Sequence, residues 1–359
     1  MAQNRPEHRK GKGPWLRVLS WLPGILILAA VVAVVTHRSE GQHFAALLRQ
    51  AQPSWIFVAA LFQGLTYVLA GAVWQRVLVR AGTPCPLRVL APLAVARLFV
   101  DQVFPTGGLG GRVLVVRAFR RHGVHVPVAI AAILVDLLTL YGAFALAVLV
   151  SLGILWLTRD LSRVILSLAG LFAVMAGGIP LTVLWLSRKT RRPPRWARRI
   201  PRLESTLREI GRAPNGLVRD PAVLIQGSAL QLGIFLLDSA TLWAMLHAIG
   251  LHPAFSAAFA SFVLAQAAST VILTPGGLGS FEAASVALLA LFGVRVEAAL
   301  TATLLLRGFT YWLPMLPGLW LSRREIRHMA KDKDPKDIKD INDTKDKDKD
   351  TTEIELFRP

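Results

Sequence analysis

Charge is scarce in this sequence, and acid is scarcer than base: 18% of residues are charged, with 22 Asp and Glu against 41 Lys and Arg. So low a share excludes an ordinary soluble domain, where about a quarter of the residues carry charge. The one cysteine, Cys85, excludes an internal disulfide and any cysteine-based metal centre. The eight histidines fall into neither HExxH nor any other spaced ligand set, so neither metal nor cofactor is expected. No catalytic triad is recognisable, and no soluble module interleaves basic with aromatic residues, so the net charge of +19 is not read as nucleic-acid binding.

What the chain does have is apolar length. Hydrophobic residues make up 53% of it, in blocks too long for a soluble core. A helix of about 20 residues, rising about 1.5 Å per residue, crosses a hydrocarbon layer about 30 Å thick. Six segments read as full spans: 16–36, 53–75, 126–157, 164–186, 221–249 and 296–321. The first extends from Val18 to Thr36 without a small-residue cleavage site, so it is read as a retained span rather than a signal peptide. Residues 88–122 and 254–293 each hold an apolar stretch, a Pro-Gly-rich break and a second helical stretch. Re-entrant hairpins fit this pattern, and the amides of such a break need protein or a wet cavity around them. The expected fold class is therefore an all-α polytopic membrane protein, about six transmembrane helices plus two re-entrant helical hairpins in inverted repeats.

Lys and Arg distribution sets the orientation. The N-terminal residues 1–17 carry five, the loop 37–52 two, residues 76–88 three, 112–121 four, 158–163 two and 187–220 eleven. Around the second hairpin only Arg295 is basic. The first hairpin is thus expected to enter from the cytoplasm and the second from outside. Both termini are expected in the cytoplasm, with the protein in the inner membrane. Within the basic loop, Trp196, Ile200, Leu203, Leu207 and Ile210 recur at helical steps between arginines, as in an amphipathic helix lying on the inner leaflet. The transmembrane unit is expected over 18–325, and a charged cytoplasmic tail, with KDKDPKDIKDINDTKDKDKD at its centre, over 326–359.

The sequence also repeats itself, about 53–157 against about 221–321. Laying GGLG at 107–110 over GGLG at 276–279 shifts one half by 169 residues. Trp74 then meets Trp243, and Gly82 meets Gly250, Gly123 meets Gly293 and Tyr141 meets Tyr311 within one residue. Inverted repeats with broken helices near the midplane are a recurring plan of transporters.

The sharpest motifs are FPTGGLGGR at 104–112 and TPGGLGSFE at 274–282. Their glycines, Gly107, Gly108 and Gly110 in the first and Gly276, Gly277 and Gly279 in the second, leave backbone amides bare beside a helix N-terminus. That makes either a seat for a phosphate headgroup, with Arg112 beside it, or only a tight helical turn. The P-loop Lys-Ser/Thr pair is missing. Charges at membrane depth face cavities or partners. Arg97 and Asp101 stand four apart on one helix and either neutralise each other or line a cavity. Asp136 and Arg307 occupy corresponding points of the repeats, as an ion pair between halves or as a headgroup site. Asp238 is a proton or cation site, or is held by Gln231 or Thr241. Glu282, in the first turn after the second break, is a cap or a substrate contact.

FPTGGLGGR with the following RAFRRHGV, TPGGLGSFEAASVALLALFGV and the closing TATLLLRGFTYWLPMLPGLW resemble the transmembrane, flippase-like domain of the lysylphosphatidylglycerol synthases, the multiple peptide resistance factor family, and its stand-alone relatives. The resemblance covers roughly 15–325. It implies movement of aminoacylated phospholipid between leaflets, with aminoacyl transfer assigned to a separate cytosolic domain. That domain is not found in this sequence, so enzymatic transfer is not expected. The expected partner is a phospholipid or lipid-linked anionic substrate in the membrane, with a homo-oligomer or a partner enzyme also open. The rival expectation is a membrane-embedded regulator of a lipid- or glycan-modifying enzyme.

Overall fold

The computed structural model describes residues 51–103, 109–158, 214–272, 277 and 279–331, together with 167, 170–174, 176–178, 181 and 182. The expected first span, most of the span at 164–186, the basic helix at 193–212 and the charged tail lie outside the described residues, as do Gly107, Gly108 and Gly276.

Every regular element among the described residues is helical: α1 Pro53–Arg80, α2 Leu87–Val103, α3 Leu109–Arg121, α4 Val126–Thr158, the short α5 Asn215–Val218, α6 Pro221–Ala248, α7 Phe255–Ile272, α8 Ser280–Leu291, α9 Val296–Arg307 and α10 Met315–Lys331. Four of them, α1, α4, α6 and α7, are long and apolar enough to cross a membrane. The helix α7, expected only as one limb of a hairpin, has 18 residues. At about 1.5 Å per residue that is about 27 Å, close to the thickness of a hydrocarbon layer.

One expected span is not a single helix. Between α9 and α10 the chain makes a π-helical turn, Gly308–Trp312, and then a bend at Leu313 and Pro314. Proline supplies no amide and its ring crowds the carbonyl four residues back, so the regular ladder cannot continue through it. The Leu313 amide donates instead to the Gly308 carbonyl at 2.7 Å, five residues back.

The repeat is visible in the backbone. Helices α1 and α6 each have 28 residues and start on a proline, which sets them 168 residues apart rather than 169. In this register Trp243 corresponds to Gln75, not to Trp74. The side chain of each donates to the carbonyl ten residues on, Gln75 to Cys85 at 3.3 Å and Trp243 to Pro253 at 3.0 Å. Both helices also end alike: Gly82 and Gly250 adopt φ of 74° and 81°, and the next amides, of Thr83 and Leu251, reach back to Leu78 and Leu246. After the glycine breaks the shift becomes 170, with Val124 bonded to Phe119 and Val294 to Leu289. The second break is therefore two residues longer than the first.

Helices α1 and α6 run antiparallel against each other. At one end the Gln52 amide donates to the Ala248 carbonyl at 2.8 Å, and at the other Arg80 meets Asp220 at 2.7 Å. Small residues bring neighbouring helices close, as expected where lipid removes the hydrophobic drive for packing. A Cβ on Gly71 would stand 2.9 Å from the Ala91 nitrogen of α2, and one on Gly227 of α6 2.7 Å from the Thr139 methyl of α4. The outer faces carry rows of bare apolar side chains, including Phe57 and Leu61 on α1, Leu149 and Trp156 on α4 and Ile225 on α6. So much exposed apolar surface would be a liability in water and is the ordinary state against acyl chains.

Candidate functional site

Two arginines organise the polar interior, one beside each glycine break. On α2, Arg97 Nη1 lies 2.6 Å from Asp136 Oδ2 of α4, and its Nε lies 3.5 Å from Asp101 Oδ2 one turn further along. Asp136 is 6% exposed, and its second oxygen accepts from Gln231 Nε2 of α6 at 3.0 Å. The guanidinium also stands 5.6 Å from the ring centre of the buried Trp74. Asp101 in turn takes the Gly111 amide at 3.0 Å, in the first turn of α3. Only glycine fits there, because a Cβ would lie 2.5 Å from Asp101 Oδ1.

At the second break the arrangement recurs with different residues. Arg307, at the end of α9, places Nε 2.8 Å from Glu282 Oε1, an ionic contact not aligned as a hydrogen bond, and Nη2 donates to the Gly277 carbonyl at 3.0 Å. Glu282 Oε2 takes the Gly279 amide at 2.6 Å, as a residue in the third position of a helix does when it caps. Gly277 and Gly279 have φ of 67° and 82°, the left-handed region that favours glycine. The guanidinium packs 4.2 Å from the centre of the Phe281 ring.

Each helix start after a break is thus met by a carboxylate of the chain itself, which an arginine neutralises. The positive end of a helix attracts an anion, and at the Gly111 and Gly279 amides a side chain already fills that role. Gly110 lies in the first turn of α3. The half-buried Arg112 follows, and among the described residues its side chain enters no ion pair; its charge is felt at Asp101 and Tyr141.

Two cavities open between these clusters. The smaller, about 290 Å³, is bounded by Gln63, Tyr67 and Trp74 of α1, Arg97 and Asp101 of α2, and Asp238 of α6. The larger, about 430 Å³, is bounded by Gln102, Tyr141, Gln266, Phe281 and Arg307, and again by Asp238. They share Leu98, Ile234, Asp238 and Thr310 as a common wall. Three buried polar atoms on these walls have no protein partner among the described residues: Tyr67 Oη, Trp74 Nε1 and Gln102 Oε1. Cavities of this size with a few converging polar groups are the usual form of a small-ligand site.

Of the alternatives left open by the sequence, the Arg97–Asp101 pair and the Glu282 cap are both formed. Two expected pairings are not. Asp136 faces Arg97 rather than Arg307, because the long Arg97 side chain reaches it from α2 while Arg307 turns back to the second break. Asp238 accepts from Gln63 Nε2 at 2.6 Å, whereas Gln231 serves Asp136 and the Thr241 hydroxyl bonds the Leu237 carbonyl. Gln63 and Gln231 occupy the same place in α1 and α6, and each donates to an aspartate of another helix. The sequence repeat could have singled them out.

The fold and the polar interior define a helical membrane protein with several apolar helices around cavities that charged and polar side chains help to line. A family model, the lysylphosphatidylglycerol synthase TM region, matches residues 21–318. The chain belongs to that family. It is also similar to a UPF0104 membrane protein of Methanothermobacter thermautotrophicus, with 25% identity over 332 residues, covering 86% of this chain and 94% of the relative.

Proposed function

We propose that the protein moves a phospholipid or a related phosphate-bearing amphiphile between the leaflets of the cytoplasmic membrane, with its two repeats as inverted halves and α2–α3 and α7–α8 as re-entrant hairpins. The observation that carries this reading is the pair of cavities meeting at Asp238 of α6, together with the packing of α6 against α1, its equivalent in the repeat, in the opposite direction. Antiparallel copies of one unit are what an inverted repeat requires, and exchanging their conformations would open first one cavity and then the other.

The phosphate contact falls to Arg112, which enters no ion pair among the described residues, with Arg97 and Arg307 lining the route. A guanidinium holds phosphate through paired hydrogen bonds that neutral side chains do not replace. Gly107, Gly108 and Gly276, outside the described residues, are further candidates for the same headgroup. Acyl chains remain outside, against the exposed apolar faces. No chemistry on the lipid is required, and the protein acts as a carrier rather than an enzyme.

Purified protein in liposomes with one headgroup-labelled phospholipid class at a time tests this. Label should become protected from, or exposed to, a membrane-impermeant quencher faster than in protein-free liposomes. Arg112→Gln should slow the transfer about tenfold or more, since a hydrogen bond to a charged group contributes about 1.5–3 kcal/mol. Equal rates in wild type, variant and empty liposomes, for every lipid class, would remove the proposal.

A further inference from the structure

Every other carboxylate singled out above has a basic partner: Asp101 and Asp136 share Arg97, Glu282 has Arg307, and Asp220 has Arg80. Asp238 has none among the described residues; its one hydrogen bond comes from a neutral amide, Gln63 Nε2. It is the eighteenth residue of the 28-residue α6, so at about 1.5 Å per residue it sits about 15 Å from the C-terminal end, near the middle of a bilayer. It is also only half-buried, and the surface it shows is surface of the two cavities, whose common wall it forms. An acid at membrane depth with no counter-cation is costly as an anion and inexpensive as a neutral acid. Access from two water-sized spaces gives it two routes by which to gain or lose a proton.

The groups facing it from the surrounding helices leave that proton unclaimed. On α1, Tyr67 shares the smaller cavity with it, and the Tyr67 hydroxyl has no partner among the described residues. On α2, Arg97 is held by both Asp101 and Asp136. Across the larger cavity stand Tyr141 of α4, then Arg307 at the end of α9 and Tyr311 in the π-helical turn, with Arg307 engaged by Glu282. From α7 come Gln266 and Thr270, which do not titrate. Thr310, the other polar member of the shared wall, sits in the same π-helical turn, an irregularity common at functional sites.

We infer that Asp238 is a proton-binding site that couples passage of one proton between the two cavities to passage of the amphiphile. This rests on the translocation reading above. The step is balanced within the site: an O–H bond forms on an Asp238 oxygen with a proton from one compartment and breaks to release it to the other, with no oxidation or reduction. Gln63 stays on the first oxygen in both states. The charged form is stranded without a cation when neither cavity is wet, so only the neutral form favours the exchange.

The full chain in sealed vesicles with a headgroup-labelled phosphatidylglycerol or phosphatidylethanolamine, under an imposed difference of about one pH unit, tests the coupling. One proton per lipid sustains up to about a tenfold leaflet ratio, since one unit corresponds to 1.36 kcal/mol. Wild type should build a ratio that a protonophore collapses. Asp238→Asn keeps an oxygen for Gln63 and should move the lipid to an even distribution whatever the gradient, and Asp238→Glu should restore the ratio. An Asp238→Asn protein that still builds the ratio, or a wild type that moves lipid without responding to the gradient, overturns the inference. Infrared titration of the same protein separates the two readings. A protonated-carboxyl band that titrates in wild type and is missing in Asp238→Asn, without lipid movement, keeps the proton site and removes translocation; no such band removes the site.

Discussion

Replacing Arg97 with methionine tests whether the polar cluster around Asp136 is held by charge or merely accommodated. Arg97 Nη1 is 2.6 Å from Asp136 Oδ2, and the aspartate is 6% exposed, with only Gln231 to replace the cation. Removing one partner of a buried ion pair costs about 3–5 kcal/mol, because the other charge stays behind. Removing both in favour of apolar groups of similar volume is often close to neutral. Arg97→Met should therefore lower the melting temperature by roughly 5–10 °C, taking about 2 °C per kcal/mol for a chain of this size. Arg97→Met combined with Asp136→Leu should recover most of that loss. Asp101 adds little to the difference, since it keeps the Gly111 amide and partial exposure to the cavity. Cys85, the single thiol and 5% exposed, supplies the assay: a dye that fluoresces on thiol attachment reports its release on unfolding. A double variant melting below the Arg97→Met single variant would refute the reasoning, since it would mean that the two side chains act independently.

Other outcomes follow from single contacts. Gly111→Ala should destabilise the protein by about 1–3 kcal/mol, because the new methyl would stand 2.5 Å from Asp101 Oδ1 and push the cap off its amide; the same thiol-melting assay reads it. The Arg80 hydrogen bond, together with the Ala222 amide, holds the Asp220 carboxyl below the ordinary carboxylate range. A group lowered in this way stabilises above its unfolded value of about 3.9 and loses that contribution as pH falls through the folded value, so wild type and Asp220→Asn should differ in melting at pH 6 and converge in strong acid. Burial pushes the Cys85 thiol up, so labelling of the folded protein at neutral pH should be slow and should become fast once denaturant is added.

The repeat, the helix-break-helix plan and the residues near the breaks were all readable in the linear sequence, because glycine clusters and long apolar runs are local signals. Partner choice was not. Arg97 and Asp136 are 39 residues apart, and nothing in that spacing distinguishes Arg97 from Arg307 as the cation for Asp136. The repeat register was read one residue off in α1 and α6, because the GGLG motifs lie beyond a break whose two copies differ in length. Gln63 passed unnoticed because a neutral amide within an apolar stretch resembles tolerated polarity; its meaning appears only when its repeat counterpart, Gln231, is found donating to another aspartate. The span at 296–321 was read as continuous from its apolar length alone, whereas the backbone there adopts a π-helical turn and then bends.

The two glutamines illustrate how far the duplicated halves have parted. Gln63 serves an acid with no basic partner among the described residues, and Gln231 serves one that an arginine already balances. Two identical halves would hold matching charges at matching places. Here Asp136 is balanced by Arg97 while Asp238 stands without a cation among the described residues, so on the proposed reading one half keeps its charge settled and the other answers the proton gradient.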